Sequence, residues 1–126
     1  MYDEIIEKIN AGSLSEARTK LVQGIKHGQI NTTQLDDVIE RLKKTDGGTH
    51  YLFETSFFKC TDNVRLWNEA YIEKITIAIL SGDVSPALLY HMLDVCKYVR
   101  KKKIMAVGAG CALIGVIVAV AIYLAQ

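Results

Sequence analysis

Residues 104–125 read IMAVGAGCALIGVIVAVAIYLA, 22 residues without a charge, Pro, Asn or Gln. At a rise of about 1.5 Å per residue, a helix of that length extends about 33 Å, enough to cross a hydrocarbon core of roughly 30 Å. A buried core helix is the competing reading, but about a hundred preceding residues are too few to surround so long an apolar helix. The stretch follows the charged part of the chain rather than an N-terminal basic region, so it does not read as a signal peptide. With Gln126 directly after it, it does not read as a lipid-anchor signal either. The expectation is a single C-terminal transmembrane helix, a tail anchor.

Charge is divided just as sharply. All 15 Lys/Arg and all 14 Asp/Glu lie between Asp3 and Lys103. Residues 1–96 carry ten basic and fourteen acidic side chains, a net of −4, while Lys97, Arg100, Lys101, Lys102 and Lys103 add five cations directly before the apolar stretch. The net of +1 is therefore the sum of an acidic body (1–96), a basic juxtamembrane segment (97–103) and a neutral span (104–125). This partition excludes a purely soluble protein, a polytopic transporter and a disordered chain. The body is also too small for most dinucleotide folds. Cations on one side only predict that the body faces the cytoplasm. The same five side chains are candidates for contact with anionic lipid headgroups, at about 1 kcal/mol each near the surface. Nucleic acid binding is the alternative for such a cluster, disfavoured because the rest of the body is acidic. The lack of cations after the span argues mildly against a mitochondrial outer-membrane address.

Within the span, Gly108, Ala112, Gly115 and Ala119 recur at spacings of 4, 3 and 4 and share a helix face, with Cys111 beside it. Small residues so placed let helices approach closely in lipid, which makes this face a candidate for self-association. The bland alternative is that small residues are common in spans. The opposite face, with Leu113, Ile117, Val120 and Leu124, suits lipid.

The body reads as short helices. Acids in the first turn start one over residues 2–10, and the capping-box spacing Ser13-Leu-Ser-Glu16 starts another reaching about His27. Asn31 to Gln34 opens a third through Lys44. The aromatic segment 49–59 reads as helical or irregular, and Thr61, Asp62 or Asn63 caps a long apolar helix through Leu80. Ser85-Pro86 then starts a last helix that continues through Lys103. Three corners repeat one pattern: Ile9-x-x-Gly12-x-Leu14-Ser15, Ile25-x-x-Gly28-x-Ile30-Asn31 and Ile79-x-x-Gly82-x-Val84-Ser85. Each is a helix stop at glycine, an apolar residue packing back, and a new cap. Their uneven spacing argues against a solenoid.

Apolar faces at helical period on each segment predict one bundle, with the helix over residues 64–80 in the central position because it is apolar nearly all round. The run over residues 75–80 also permits a strand, but no partner strand is evident. The fold class expected is all-α: a small cytoplasmic bundle of five or six short helices followed by the membrane helix.

Little chemistry is written in the chain. His27, His50 and His91 show no metal-ligand spacing with one another or with Cys60, Cys96 and Cys111, and no CxxC or HxxxH is present. Three cysteines, one of them in the span, fit a reducing cytoplasm. A Cys60/His50 nucleophile pair is the weak enzymatic alternative. P-loop, GxGxxG, GxSxG and HExxH motifs are lacking, and no cofactor is expected. Asp36, Asp37, Asp3, Glu4 and Glu7 read as solvated charge. Asn31-Thr32-Thr33 is a glycosylation sequon that a cytoplasmic body would leave unmodified. The aromatic cluster Tyr51, Phe53, Phe57, Phe58, Trp67 and Tyr71 reads mainly as core. Adjacent Phe57 and Phe58 cannot both face one core, so one of them is a candidate partner surface.

In outline the chain resembles tail-anchored adaptors of the death-fold type, which pack short helices into a body of this size. The resemblance is architectural and implies no particular site residue. The expected function is non-enzymatic: protein–protein interaction or self-assembly at the membrane. The alternatives are an oligomerising, membrane-disrupting effector such as a toxin or holin-like protein, and a structural membrane component of a virus or larger complex. The expected partners are membrane lipid, a protein and further copies of the chain, with no nucleic acid.

Overall fold

A computed structural model describes residues 1–45, 52 and 55–115, with side chains described as far as residue 104. Among these residues there are five α-helices and no strand: α1 (Tyr2–Asn10), α2 (Leu14–Lys26), α3 (Thr32–Lys44), α4 (Glu69–Leu80) and α5 (Pro86–Gly115), with a 3-10 turn at Val64–Leu66. The chain divides into two units, Met1–Cys96 and Lys97–Gln126, and α5 contributes to both.

In the first unit α1 packs on α2 and α3, and α2 packs on α4. Each helix brings the apolar stripe that its sequence spacing dictates. Ile5 and Ile9 come from α1, Leu21 and Ile25 from α2, Leu35 and Val38 from α3, Ile75 and Ile79 from α4, all at most 2% exposed. The deepest element is the first half of α5, where Leu88, Leu89, Met92, Leu93 and Cys96 are buried. This corrects the central place expected for the helix ending at Leu80. α4 buries only the face of Tyr71, Ile72, Ile75 and Ile79, and leaves Ile77 exposed on the opposite side. Its apolar residues fall nearly all round the axis, but it buries one face only.

The three glycine corners form as one motif. Gly12, Gly28 and Gly82 all have positive φ, at 77°, 73° and 119°. In each corner the glycine N–H donates to the buried isoleucine three residues back, and the next N–H reaches a carbonyl five back: Ser13 to Lys8 at 2.9 Å, Gln29 to Gly24 at 2.8 Å, Asp83 to Ala78 at 3.0 Å. This is the paired bonding of a Schellman stop, which satisfies carbonyls the helix end leaves open. The restarts differ. Asn31 and Gln34 complete a reciprocal capping box, and Ser85 Oγ accepts the Leu88 N–H at 3.1 Å. At the first corner the expected cap at Ser15 and the expected Ser13–Glu16 capping box do not form. The cap position is Ser13, whose side chain makes no capping bond, and Ser15 lies inside α2. Glu16 instead pairs with Lys8 at 2.7 Å.

The fourth helix also starts later than the sequence suggests. Asn63 accepts the Arg65 N–H and caps only the 3-10 turn, while Asn68 caps α4 by accepting the Tyr71 N–H at 2.9 Å. The acids on α3 are more than solvated charge. Asp37 accepts hydrogen bonds from Tyr2 and from Arg41 Nε, and Asp36 accepts one from Tyr90, so α3 is tied to α1 and α5 by its outer edge. Exposed ion pairs Lys20–Glu4 and Lys26–Glu73 link α2 to α1 and α4 and contribute little each.

Candidate functional site

Beyond α3, the chain from Thr55 to Asn63 has no helical structure and meets Asp83, after the end of α4, and Tyr71, in its first turn. What holds it is a set of polar contacts to residues far away in sequence. Asp83, 6% exposed in the corner between α4 and α5, accepts the Phe58 N–H at 2.8 Å and the Ser56 hydroxyl at 2.7 Å on one oxygen, Oδ2. Phe58 is thereby drawn inward, its ring 5.7 Å from that of Tyr71 and tilted by 52°.

Three residues on, Thr61 is clasped at both of its backbone groups. Its N–H donates to the Tyr71 hydroxyl oxygen at 3.0 Å, and its carbonyl accepts Trp67 Nε1–H at 2.7 Å. The Tyr71 hydroxyl lies 2.7 Å from His91 Nε2, and the Trp67 and His91 rings meet edge to face with centroids 5.5 Å apart. Because Tyr71 oxygen already accepts from Thr61, its proton is best used toward an unprotonated Nε2. Burial supports that assignment: it pushes the His91 imidazolium below the ordinary range, against the opposing charges of Asp62 and Asp94, and pushes the Tyr71 phenol up. The thiol of Cys60, an exposed residue, is raised by partial desolvation and by the carboxylates of Asp83 and Asp62. It is therefore held in its less nucleophilic form at neutral pH. His50, its candidate partner, lies outside the described residues, as do Tyr51 and Phe53.

The result is a sorting of the two adjacent rings. Phe58 is half-buried, and Phe57 stands 81% exposed beside a groove formed with the end of α4. Nothing in the local sequence distinguishes the two phenylalanines, because the group that selects Phe58 lies 25 residues away. Among the described residues no group of three or more His, Cys, Asp or Glu could hold a metal ion.

The second unit is described as the continuation of α5. Lys97, Lys101, Lys102 and Lys103 are exposed and Arg100 is half-exposed. At about 100° per residue these five positions fall all the way round the helix axis rather than on one side. Gly108, Ala112 and Gly115 fall on one stripe of the α5 backbone, while Ala119 and the rest of the expected span beyond residue 115 lie outside the described residues. No helix among the described residues is long and apolar enough to cross a membrane. No protein-family model, no curated protein and no solved structure matches this chain.

Proposed function

We propose that this chain is a non-enzymatic, tail-anchored membrane protein whose helical body faces the cytoplasm and holds a protein partner at the membrane, or assembles there with copies of itself. The observation that carries this reading is the charge partition: five cations immediately followed by 22 uncharged apolar residues. Two features of the structure support it. A helix lying flat on a bilayer keeps its cations on its polar face, whereas the five here surround α5, as suits a helix passing steeply through the headgroup layer. An exposed phenylalanine beside a groove is the kind of anchor that protein interfaces use. Confinement to a surface then raises the effective concentration of partners.

The test is extraction and topology of the full chain. It should remain with membranes after alkaline carbonate treatment, and truncation before Ile104 should release it. Asn31 should stay unglycosylated while a sequon appended after Gln126 becomes modified. Release of the full chain by carbonate, or glycan on Asn31, would end this reading. The stripe of Gly108, Ala112 and Gly115 on α5 also favours self-association, the step that a membrane-disrupting effector would need. Induction in cells while following membrane potential separates that second role, which requires collapse of the potential.

A further inference from the structure

Phe57, Phe58, Ala78, Ser81, Gly82 and Asp83 line an open groove of about 520 Å³ in the first unit, within the usual range of ligand clefts. Its apolar character continues outward. Phe57 is 81% exposed, and Ile77, 61% exposed, stands one helical turn before Ser81 on α4. Ile77 does not line the groove, but it extends the exposed apolar surface of α4 near Ala78, which does.

The groove also holds a carboxylate, that of Asp83. Asp83 Oδ2 is satisfied by Ser56 and Phe58, but Oδ1 is buried and accepts no hydrogen bond from the described residues. None of the six lining residues is basic. A buried carboxylate oxygen without a donor is costly, and in low-dielectric surroundings its field reaches a neighbouring cation without direct contact.

We propose that this groove binds a partner segment in which apolar side chains flank one lysine or arginine. The apolar groups lie against Phe57, Phe58 and Ala78, and the cation is held by the Asp83 carboxylate. This rests on the recruiting role argued above and supplies its recognition chemistry. Acidic segments are rejected by the same carboxylate, so the groove selects by charge as well as by fit.

The experiment uses the isotope-labelled full chain in detergent micelles and three soluble probes: acetylated, amidated peptides Ser-Leu-Leu-X-Leu-Leu-Ser with X as Lys, Gln or Glu. The Lys peptide should shift the amide signals of Ser81, Gly82 and Asp83 and bind about ten-fold tighter than the Glu peptide, the discrimination expected of one poorly solvated charge pair. Asp83→Asn keeps an acceptor for Ser56 and Phe58 while removing the charge, and should abolish the preference. Phe57→Ser, at an exposed position, should weaken all three peptides without altering the fold.

Equal binding of the three peptides would overturn the charge selection and leave an apolar groove. Absence of shifts at residues 81–83 would overturn the site, and shifts that depend on protein concentration alone would assign the groove to a second copy. A chain retained on membranes that crosslinks to a protein through Phe57, yet shows no lysine preference, refutes this inference only. A chain that carbonate releases refutes the recruiting role instead.

Discussion

Gly24 lies inside α2, where helix propensity alone favours alanine by about 1 kcal/mol. It is not one of the positive-φ glycines, so no left-handed backbone explains its presence. The structure predicts that alanine nevertheless brings no gain. A Cβ added to Gly24 would sit 2.6 Å from Ile30 Cγ1 and 3.0 Å from Met1 Cγ, against an optimal carbon separation of about 3.5–4.0 Å. Met1 is half-buried, and its Cγ is the more distant of the two contacts. Ile30 has no room to turn: it is 2% exposed, and the adjacent Gln29 N–H is bonded to the Gly24 carbonyl itself at 2.8 Å. The corner therefore cannot recede from the helix without losing its own stop.

Overpacking of this kind costs about 1–3 kcal/mol, so after the propensity gain of about 1 kcal/mol Gly24→Ala should destabilise by about 0–2 kcal/mol. The contact is tested by a cycle. Ile30→Ala alone should cost about 2–5 kcal/mol through its cavity. In the double variant the new methyl enters that cavity, so the combined loss should fall short of the sum by about 1 kcal/mol. Urea unfolding of the full chain in micelles, followed by far-UV circular dichroism, measures all four proteins. A stabilising Gly24→Ala, or strict additivity with Ile30→Ala, would refute the steric account. Gly12→Ala is the contrasting control, because a Cβ there meets nothing within 4 Å. Its cost, about 1–2 kcal/mol, comes from the left-handed backbone alone and should not couple to Ile30.

Asn31→Ala should lower stability by about 1 kcal/mol through loss of the reciprocal cap, whereas Ser13→Ala should be nearly silent because its side chain makes no capping bond; the same urea curves compare them. Burial, aided by the Asp36 carboxylate, pushes the Tyr90 phenol from its ordinary 10.0 up to about 12. The unfolded phenol ionises first, so this stability is intact below pH 10 and lost as pH rises from 10 to about 12. Tyr90→Phe should flatten that alkaline loss, with phenolate absorbance reporting the titration. His91 behaves in the opposite sense. Its folded value is lowered from 6.5, chiefly by burial, so the unfolded chain takes up a proton first as pH falls through 6.5 and stability drops. The difference in melting temperature between wild type and His91→Gln should therefore narrow on acidification; a constant difference would count against a neutral His91 bonded to Tyr71.

What could be read in advance follows the range of the interaction that decides it. The three corners were legible because a Schellman stop is closed within six residues and needs only glycine and its neighbours. At the first corner the capping-box spacing points to Ser13 and the repeated corner pattern to Ser15; the structure takes Ser13 as the cap position without its side-chain bond, and nothing local separates the two serines. The start of α4 was placed too early for a related reason. Asn63 does cap a turn, but the chain re-extends at Trp67, whose indole is spent on the Thr61 carbonyl. Burial was legible as periodicity but not as rank. α4 carries apolar residues nearly all round, yet only contact with other helices could show that Ile77 faces outward while Met92 on α5 is enclosed. The phenylalanine pair lies furthest from local reach. A carboxylate 25 residues away draws Phe58 inward and leaves Phe57 outside, and that same carboxylate keeps one oxygen without a donor among the described residues, beside the groove. The contact that hides one ring thus also sets the chemistry next to the other. Replacing Asp83 should consequently disturb both the placement of Phe58 and the charge preference of the groove, and Asp83→Asn separates them by retaining the first and removing the second.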